Sequence, residues 1–279
     1  MKILTPASQY ALLLLMFLST CAPPPDGAEA EAVTITRDSI TLTVEPARGG
    51  RISSLTYGGQ EVLNVGSDTS GFTTGSVAWT SPQENWGWPP PASLDRAPFT
   101  VQEVEEYSVL LIGDPDPETG LVMQKRYRLG PDSDVGLTYW LTNKGDSTLG
   151  VAPWEVTRLP YGGTLEFYAD SVRSQPAGDH YTTTDSLRRT VTFDGRHAGK
   201  IKLFAALDSI PAVYRRDGLV LEKHTVVTDF YRVAPGQAPL EVYLDPERNF
   251  VEFELQGDYR NISYGETVTL RTRWKVGRE

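Results

Sequence analysis

Apolar and polar residues alternate along most of the chain with a period of two. Ile40, Leu42 and Val44 alternate with threonines near the start of the ordered sequence. Two later segments repeat the pattern, one with Leu121, Met123, Lys125, Tyr127 and Leu129 and the other with Val135, Leu137, Tyr139 and Leu141 on one side. Since successive side chains of a strand point to opposite faces, the pattern predicts β-strands that each bury one face. No window of twelve residues keeps a helical stripe.

Gly, Pro, Asp and Asn separate these segments, for example at 57–59, 114–117, 130–132, 143–146 and 234–236. Such residues supply the fixed or positive φ angles of turns. The predicted fold class is therefore all-β, a large antiparallel β-sandwich, with a closed barrel as the alternative. The polar stretch 171–189 is weakly patterned and is predicted to be an irregular loop that borders a site.

The N-terminus has the features of a targeting segment. Lys2 precedes a short apolar stretch, and residues 1–21 end in Leu-Ser-Thr-Cys, which resembles a bacterial lipobox. We expect lipidation at Cys21; the alternative is an ordinary signal peptide in which this cysteine is incidental. Residues 22–32 are rich in Pro, Ala and acid and are predicted to be a flexible tether, and residues 33–279 a single domain. The expected location is the bacterial cell envelope, in the periplasm or at the outer membrane.

Composition narrows the possible partners. The net charge of −10 disfavours nucleic acid. No other apolar run approaches the length of a membrane helix, so a lipid anchor would be the only membrane attachment.

Cys21 is the only cysteine, which excludes an intramolecular disulfide. The three histidines lack metal-ligand spacing and no cofactor motif is present, so no metal and no cofactor is assigned, while the thirty-six acidic residues leave a calcium ion open. The sequence leaves the oligomeric state open.

The segment from Trp79 to Pro91 holds three of the six tryptophans. Its prolines and glycine predict a rigid loop instead of a central strand. Sugars present apolar C–H faces and hydroxyl rims, so Trp86 and Trp88 together with Gln83 are candidates to bind carbohydrate. The alternative is that these tryptophans fill one end of the hydrophobic core.

Acidic residues near the C-terminus form a second candidate feature. In the segment 250–256, strict alternation places Glu252, Glu254 and Gln256 on one face of a strand. Same-face neighbours lie roughly 7 Å apart, close enough for two carboxylates to serve as acid and base around a ligand. A solvated outer face is the alternative.

A third candidate feature is the segment Val151 to Arg158. Strand spacing puts Glu155 and Thr157 on one face and Trp154 and Arg158 on the other. Either face is able to border a pocket, and an Arg beside a Trp can clamp a ligand or simply stack on it. Lys223, which precedes His224 on another predicted strand, is a further candidate.

Four segments resemble the galactose mutarotase-like superfamily, and in particular an uncharacterised bacterial lipoprotein family within it. They are residues 49–55 with 59–63, residues 81–91, residues 152–158, and residues 250–257 with 263–266 and Trp274. The resemblance implies a twisted β-sandwich, called a supersandwich, with a sugar-binding cleft. It also implies a C-terminal Glu that acts as base toward the anomeric hydroxyl, and Glu252 or Glu254 stands in that place. The His that acts as acid in the family has no counterpart here, because the corresponding strand reads APWEVTR.

The missing acid leaves several functions open. The first is an exported lipoprotein that binds mono- or oligosaccharide without known activity. The second is an aldose 1-epimerase-like or other carbohydrate-active enzyme that uses Glu254 or Glu252 as base, helped by Glu155, Lys223 or Arg158. The third is a structural or protein-interaction module of the envelope, and the fold alone does not choose among them.

Overall fold

Antiparallel strands make up almost all of the regular structure, as the alternation predicts. The computed structural model describes residues 31–66, 73–193, 197, 199–225 and 232–279; the predicted signal segment, including Cys21, lies outside the described residues. The strands are β1 (Val33–Arg37), β2 (Ile40–Glu45), β3 (Arg51–Tyr57), β4 (Gln60–Glu61), β5 (Ser76–Ser81), β6 (Phe99–Glu105), β7 (Ser108–Gly113), β8 (Leu121–Leu129), β9 (Asp134–Asn143), β10 (Leu149–Pro160), β11 (Thr164–Gln175), β12 (Thr182–Thr183), β13 (Arg188–Thr192), β14 (Ile201–Arg216), β15 (Leu219–Thr225), β16 (Leu240–Asp245), β17 (Phe250–Gln256), β18 (Arg260–Ile262) and β19 (Thr267–Arg278). A short 3-10 helix (Gln83–Asn85) and helix α1 (Ala92–Asp95) lie between β5 and β6. Within the described part of the chain, no helix is long and apolar enough to cross a membrane.

The strands form two antiparallel runs that share β14. The first run has the order β1-β2-β3-β5-β10-β17-β16-β14, and the second has the order β6-β7-β8-β9-β19-β15-β14. The first half of β14 pairs with β16 and its second half pairs with β15. One long strand therefore belongs to both layers and closes one side of the sandwich.

The core lies between the two runs. The predicted alternation of β2, β8 and β9 is confirmed, because every apolar position named for these strands is buried. Lys125, which shares a face with these residues, is also fully buried, and its Nζ donates to the carbonyl of Gly49 at 2.6 Å. The buried face of each strand is thus set by the period of two that the sequence shows.

Strands β5 and β10 are covered on both faces, unlike the outer strands. All six residues of β5 are buried, as are Val151 to Leu159 of β10. One face of β10 points to the core. The other face, with Trp154 and Val156, packs against Val77 and Trp79 of β5 in a small separate cluster. Because β10 is enclosed on both sides, its sequence does not show a simple alternation of apolar and polar residues.

Two predictions of loop structure are wrong in part. The stretch 171–189 is not one irregular loop, since β11 continues to Gln175, β12 forms a short bridge and β13 begins at Arg188. Strand pairing with β14 keeps the polar end of β11 extended despite its weak pattern. The tryptophan-rich segment also begins inside a strand, because Trp79, Thr80 and Ser81 belong to β5.

Candidate functional site

A cleft opens on the face of the first run that points away from the core. Its volume is about 490 Å³, which lies in the range of ligand-binding pockets. The lining residues are Trp79, Gln83, Trp88, Trp154, Gln175, Lys200, Lys202, Phe204, Gln237, Glu241, Tyr243, Arg248, Phe250 and Glu252. Strands β10, β14, β16 and β17 supply half of them. The others come from β5 and the loop after it, from the end of β11 and from the segments that flank β14 and β16.

Aromatic rings form one wall of the cleft. The Trp79 ring packs edge-to-face against Trp88 and Trp154, with ring centroids 6.2 and 5.5 Å away. Trp79 and Trp154 are buried, but Trp88 is 61% exposed. Trp86 packs against the same cluster, and its Nε1 donates to the carbonyl of Thr80 at 2.9 Å. The buried tryptophans are thus core-like support, and Trp88 presents a flat apolar surface to solvent.

Helix α1 holds Trp79 in place. The indole Nε1 of Trp79 donates to Oδ1 of Asp95 at 2.9 Å, and this carboxylate is almost fully buried. Arg51 donates to the backbone carbonyl of Asp95 at 3.2 Å. A buried indole N–H requires such a partner, so the hydrogen bond fixes the orientation of the ring.

A charged network forms the floor. Lys202 Nζ lies 2.6 Å from Oε1 of Glu254 and 3.0 Å from Oε2 of Glu241. Trp154 Nε1 donates to the other oxygen of Glu254 at 2.9 Å. Glu254 is fully buried behind these partners, whereas Lys202 keeps a fifth of its side chain exposed. Lys202 therefore contacts both the buried carboxylates and the open space of the cleft.

Glu252 is the most accessible carboxylate of the floor. Its side chain is 13% exposed, and Arg158 Nε donates to its Oε1 at 2.9 Å. The Arg158 guanidinium is fully buried 5.0 Å from the centre of the Trp79 ring. Among the described residues, its Nη1 and Nη2 atoms have no hydrogen-bond partner. Arg158 thus orients Glu252 from behind and has no surface exposed to the cleft.

Burial changes the protonation of the floor. Burial raises the pKa of Glu241 to about 7, although Lys202 acts in the opposite direction. Burial also raises the pKa of Glu252, against the effect of Arg158. For Lys202 burial favours the neutral form, but Glu254 and Glu241 outweigh it and raise the pKa. A carboxyl group with a pKa near neutrality, in contact with a lysine that stays charged, is suited to acid–base chemistry.

Glu155 and Lys223 lie on the opposite face of the sheet. Lys223 Nζ is 2.5 Å from Oε1 of Glu155, and both side chains are fully buried. Lys223 also donates a hydrogen bond to Thr157, and Thr272 and Trp274 each donate one to Glu155. The expectation that either residue assists at the site is therefore corrected: the core encloses both, so neither can contact a ligand in the cleft.

The structure brings together seven of the nine predicted catalytic and binding residues. Gln83, Trp88, Trp154 and Glu252 line the cleft, Glu254 and Arg158 lie directly behind it, and Trp86 packs against its aromatic wall. Sequence reasoning missed Lys202 and Glu241. A signal for both exists, because each polar residue alternates with buried apolar neighbours in its strand. No group of three or more His, Cys, Asp or Glu among the described residues is arranged to hold a metal ion.

The fold is that of the galactose mutarotase-like proteins. A candidate aldose 1-epimerase from Escherichia coli K12 is 13% identical, with a TM-score of 0.63, over 89% of this chain and 99% of its own. A galactose mutarotase-like protein from Lactobacillus casei is also 13% identical, with a TM-score of 0.63, over 88% of this chain and all of its own. An aldose epimerase homologue from C. elegans is 12% identical, with a TM-score of 0.58, over 89% and 99%. No protein-family model and no curated protein sequence matches the chain.

Proposed function

We propose that the protein binds carbohydrate in the cleft between Trp88 and the floor of charged residues. The observation that carries the proposal is the position of an exposed indole and Phe204 beside Lys202, Glu241 and Glu252 in one cavity. Aromatic faces stack on the C–H face of a sugar ring, and charged groups make strong hydrogen bonds to hydroxyls. Nearby carboxylates balance the positive charges of Lys202, Lys200 and Arg248 in the cleft. This balance favours a neutral ligand.

A panel of soluble sugars read by thermal shift tests this function. A ligand that binds only the folded state raises the melting temperature by mass action, increasingly with concentration. We expect at least one sugar of the panel to raise it. If every sugar leaves the melting temperature unchanged, a structural or protein-interaction role in the envelope is the better hypothesis.

Trp88→Ala locates the binding site. Because Trp88 is 61% exposed, its removal should leave folding largely intact and weaken sugar binding about tenfold through lost stacking. Tyr264→Ala is a matched control, since Tyr264 is 69% exposed and does not line the cleft. Equal affinities in both variants, measured by titration calorimetry, would place the site elsewhere.

An aldose 1-epimerase-like activity is the second candidate function, favoured by the raised pKa of Glu241 beside Lys202. The Glu252 carboxylate would take the proton of the anomeric hydroxyl while protonated Glu241 donates to the ring oxygen. The bond between the anomeric carbon and the ring oxygen then breaks, and the reverse steps close the ring on the other face. Glu254 would act through Lys202, which it contacts directly.

Polarimetry on freshly dissolved α-glucose and α-galactose tests the activity. Glu252→Gln and Glu241→Gln should each slow enzymatic mutarotation at least about a hundredfold, while Glu155→Gln acts only through stability. The rate should fall as the pH rises above about 7, because Glu241 then loses its proton. Unchanged rates in Glu252→Gln and Glu241→Gln would remove both residues from the acid–base roles.

Export and lipidation remain proposals that rest on residues 1–21 alone. The Leu-Ser-Thr-Cys sequence supports attachment of lipid to Cys21, which would hold the domain at a membrane surface through the tether. Cys21→Ser should move the protein from the membrane fraction to the soluble fraction after cell lysis. Retention of this variant on membranes would exclude the lipid anchor.

A further inference from the structure

A second cavity adjoins the cleft. Its volume is about 330 Å³, and Phe204 and Gln237 line both cavities. The remaining walls of the second cavity include Asp170, Ser171, Arg173, Ala206, Leu207 and Pro239. We propose that the two cavities form one groove that binds an oligosaccharide, with a second sugar unit beyond Phe204. This inference rests on the proposed function and specifies its ligand class.

The groove follows two paired strands. On β14, the residues Lys202, Phe204 and Ala206 share one face. Their partners on β11 are Gln175, Arg173 and Ser171, in the same order along the groove. With a rise of about 3.3 Å per residue, the distance from Lys202 to Ala206 is about 13 Å. This length exceeds one pyranose ring, so a monosaccharide in the cleft would leave the second cavity empty.

Phe204 forms a platform at the boundary between the cavities. The Arg173 guanidinium lies 3.6 Å from the centre of its ring, and Lys202 Nζ lies 5.9 Å from it. Arg173 also donates to the carbonyl of Gly236 at 2.9 Å, which fixes the guanidinium over the ring. Because Arg173 holds this half-buried ring in place, the ring offers apolar contact surface at the boundary at low entropic cost.

Polar groups for sugar hydroxyls lie beyond the platform. Gln237 accepts a hydrogen bond from Gln256 at 3.3 Å through Oε1, and its Nε2 is a donor at the boundary. Asp170 and Ser171 are exposed and supply acceptors and a hydroxyl. One cation and one carboxylate, Arg173 and Asp170, line the second cavity, so its charge is balanced. The cavity therefore suits neutral sugars, as the cleft does.

Matched ligands of different length test the inference. The probes are glucose with maltotriose and cellotriose, galactose with β-1,4-galactotriose, and mannose with β-1,4-mannotriose, titrated calorimetrically against the folded protein. In the series that binds, we expect the trisaccharide to bind at least about tenfold more tightly than the monosaccharide. Affinities within about twofold overturn the inference and leave the proposed function intact. If no sugar of any series binds, the proposed function fails as well.

Ala206→Tyr fills the second cavity. Ala206 is exposed on a strand, where a tyrosine is well accommodated, so the fold should persist, as checked by circular dichroism. We expect monosaccharide affinity to stay the same and the trisaccharide advantage to disappear. Thr34→Tyr, also at an exposed strand position but on β1, is the control and should still bind the trisaccharide more tightly than the monosaccharide.

Arg173→Gln provides an independent variant. It removes the cation from the Phe204 ring without adding bulk, and should reduce the affinity advantage of the trisaccharide over the monosaccharide severalfold. If Ala206→Tyr and Arg173→Gln both fold and both retain the full advantage, the second cavity is not a sugar subsite.

Discussion

Folding and protonation are coupled at Glu241. Its carboxyl group is nearly inaccessible and faces Lys202 and Glu254, and burial raises its pKa from 4.5 to about 7. The folded state therefore binds this proton more tightly than the unfolded chain. The resulting stabilisation is fully present below about pH 4.5 and is lost as the pH rises through about 7. Lys202, whose pKa is raised, stays charged throughout this range.

Glu241→Gln should remove this pH dependence. Between pH 5 and pH 8, its free energy of unfolding should improve relative to that of the wild type by about 1–3 kcal/mol. Urea denaturation at unit pH intervals measures the difference. Glu247→Gln, at an exposed position on the following turn, should show the same pH dependence of the free energy of unfolding as the wild type. Parallel curves for Glu241→Gln and the wild type would show that Glu241 has an ordinary pKa.

At the scale of elements, the turn between β2 and β3 and helix α1 determine the position of the aromatic wall. Gly49 has φ +71°, and a Cβ atom there would lie 2.0 Å from the carbonyl oxygen of Asp95. The Gly49 N–H donates to Ala97 at 3.0 Å, while the Asp95 carboxylate holds Trp79. The close approach of turn and helix requires glycine, and the cleft wall depends on that approach.

Gly49→Ala should lower the free energy of unfolding by about 3 kcal/mol, since it combines a left-handed φ with a backbone clash. Gly58→Ala is the matched control. Gly58 also has a positive φ, +56°, but an added Cβ meets nothing within 4 Å, so the cost should be about 1 kcal/mol. Denaturant titration compares the two, and equal losses would mean that α1 moves aside without penalty.

At the scale of the whole molecule, the Lys223–Glu155 pair joins the two runs of strands. Glu155 lies on β10 of the first run, whereas Lys223 lies on β15 and Thr272 on β19 of the second. Burial lowers the pKa of Lys223, which Glu155 opposes by favouring its charged form. A buried pair of this kind contributes little net stability when intact, but removal of one partner leaves an uncompensated charge.

Lys223→Met should therefore destabilise the protein by about 3–5 kcal/mol, and the double variant Lys223→Met/Glu155→Leu should recover much of the loss. Thermal and urea denaturation of the two variants measure both values. Sugar affinity of the folded double variant should equal that of the wild type, because the pair does not reach the cleft. Loss of binding at unchanged stability would instead assign the pair to the site.

Some features of the site follow from sequence and others do not. Alternation places Glu252 and Glu254 on one face of β17. On β10 it places Trp154 and Arg158 on one face and Glu155 and Thr157 on the other. The hydrogen bonds in the structure agree with these face assignments. Sequence does not tell which face of β10 meets the core, because both faces are buried. For that reason, the sequence makes Glu155 a candidate for a site that it does not reach. Lys223 lies on β15 instead, where it shares the buried face with Leu219 and Leu221.

The sequence by itself determined the clearly alternating strands, such as β2, β8, β9 and β17, and the side of each on which a residue lies, because these depend on local backbone geometry and a period of two. Only the tertiary structure decided which sides face each other. Lys202, Glu241 and Glu254 come from three strands and meet because β14 pairs with β16 and β16 with β17. Such pairing depends on the packing of the whole chain, and the burial that raises the pKa of Glu241 exists only after the strands have assembled.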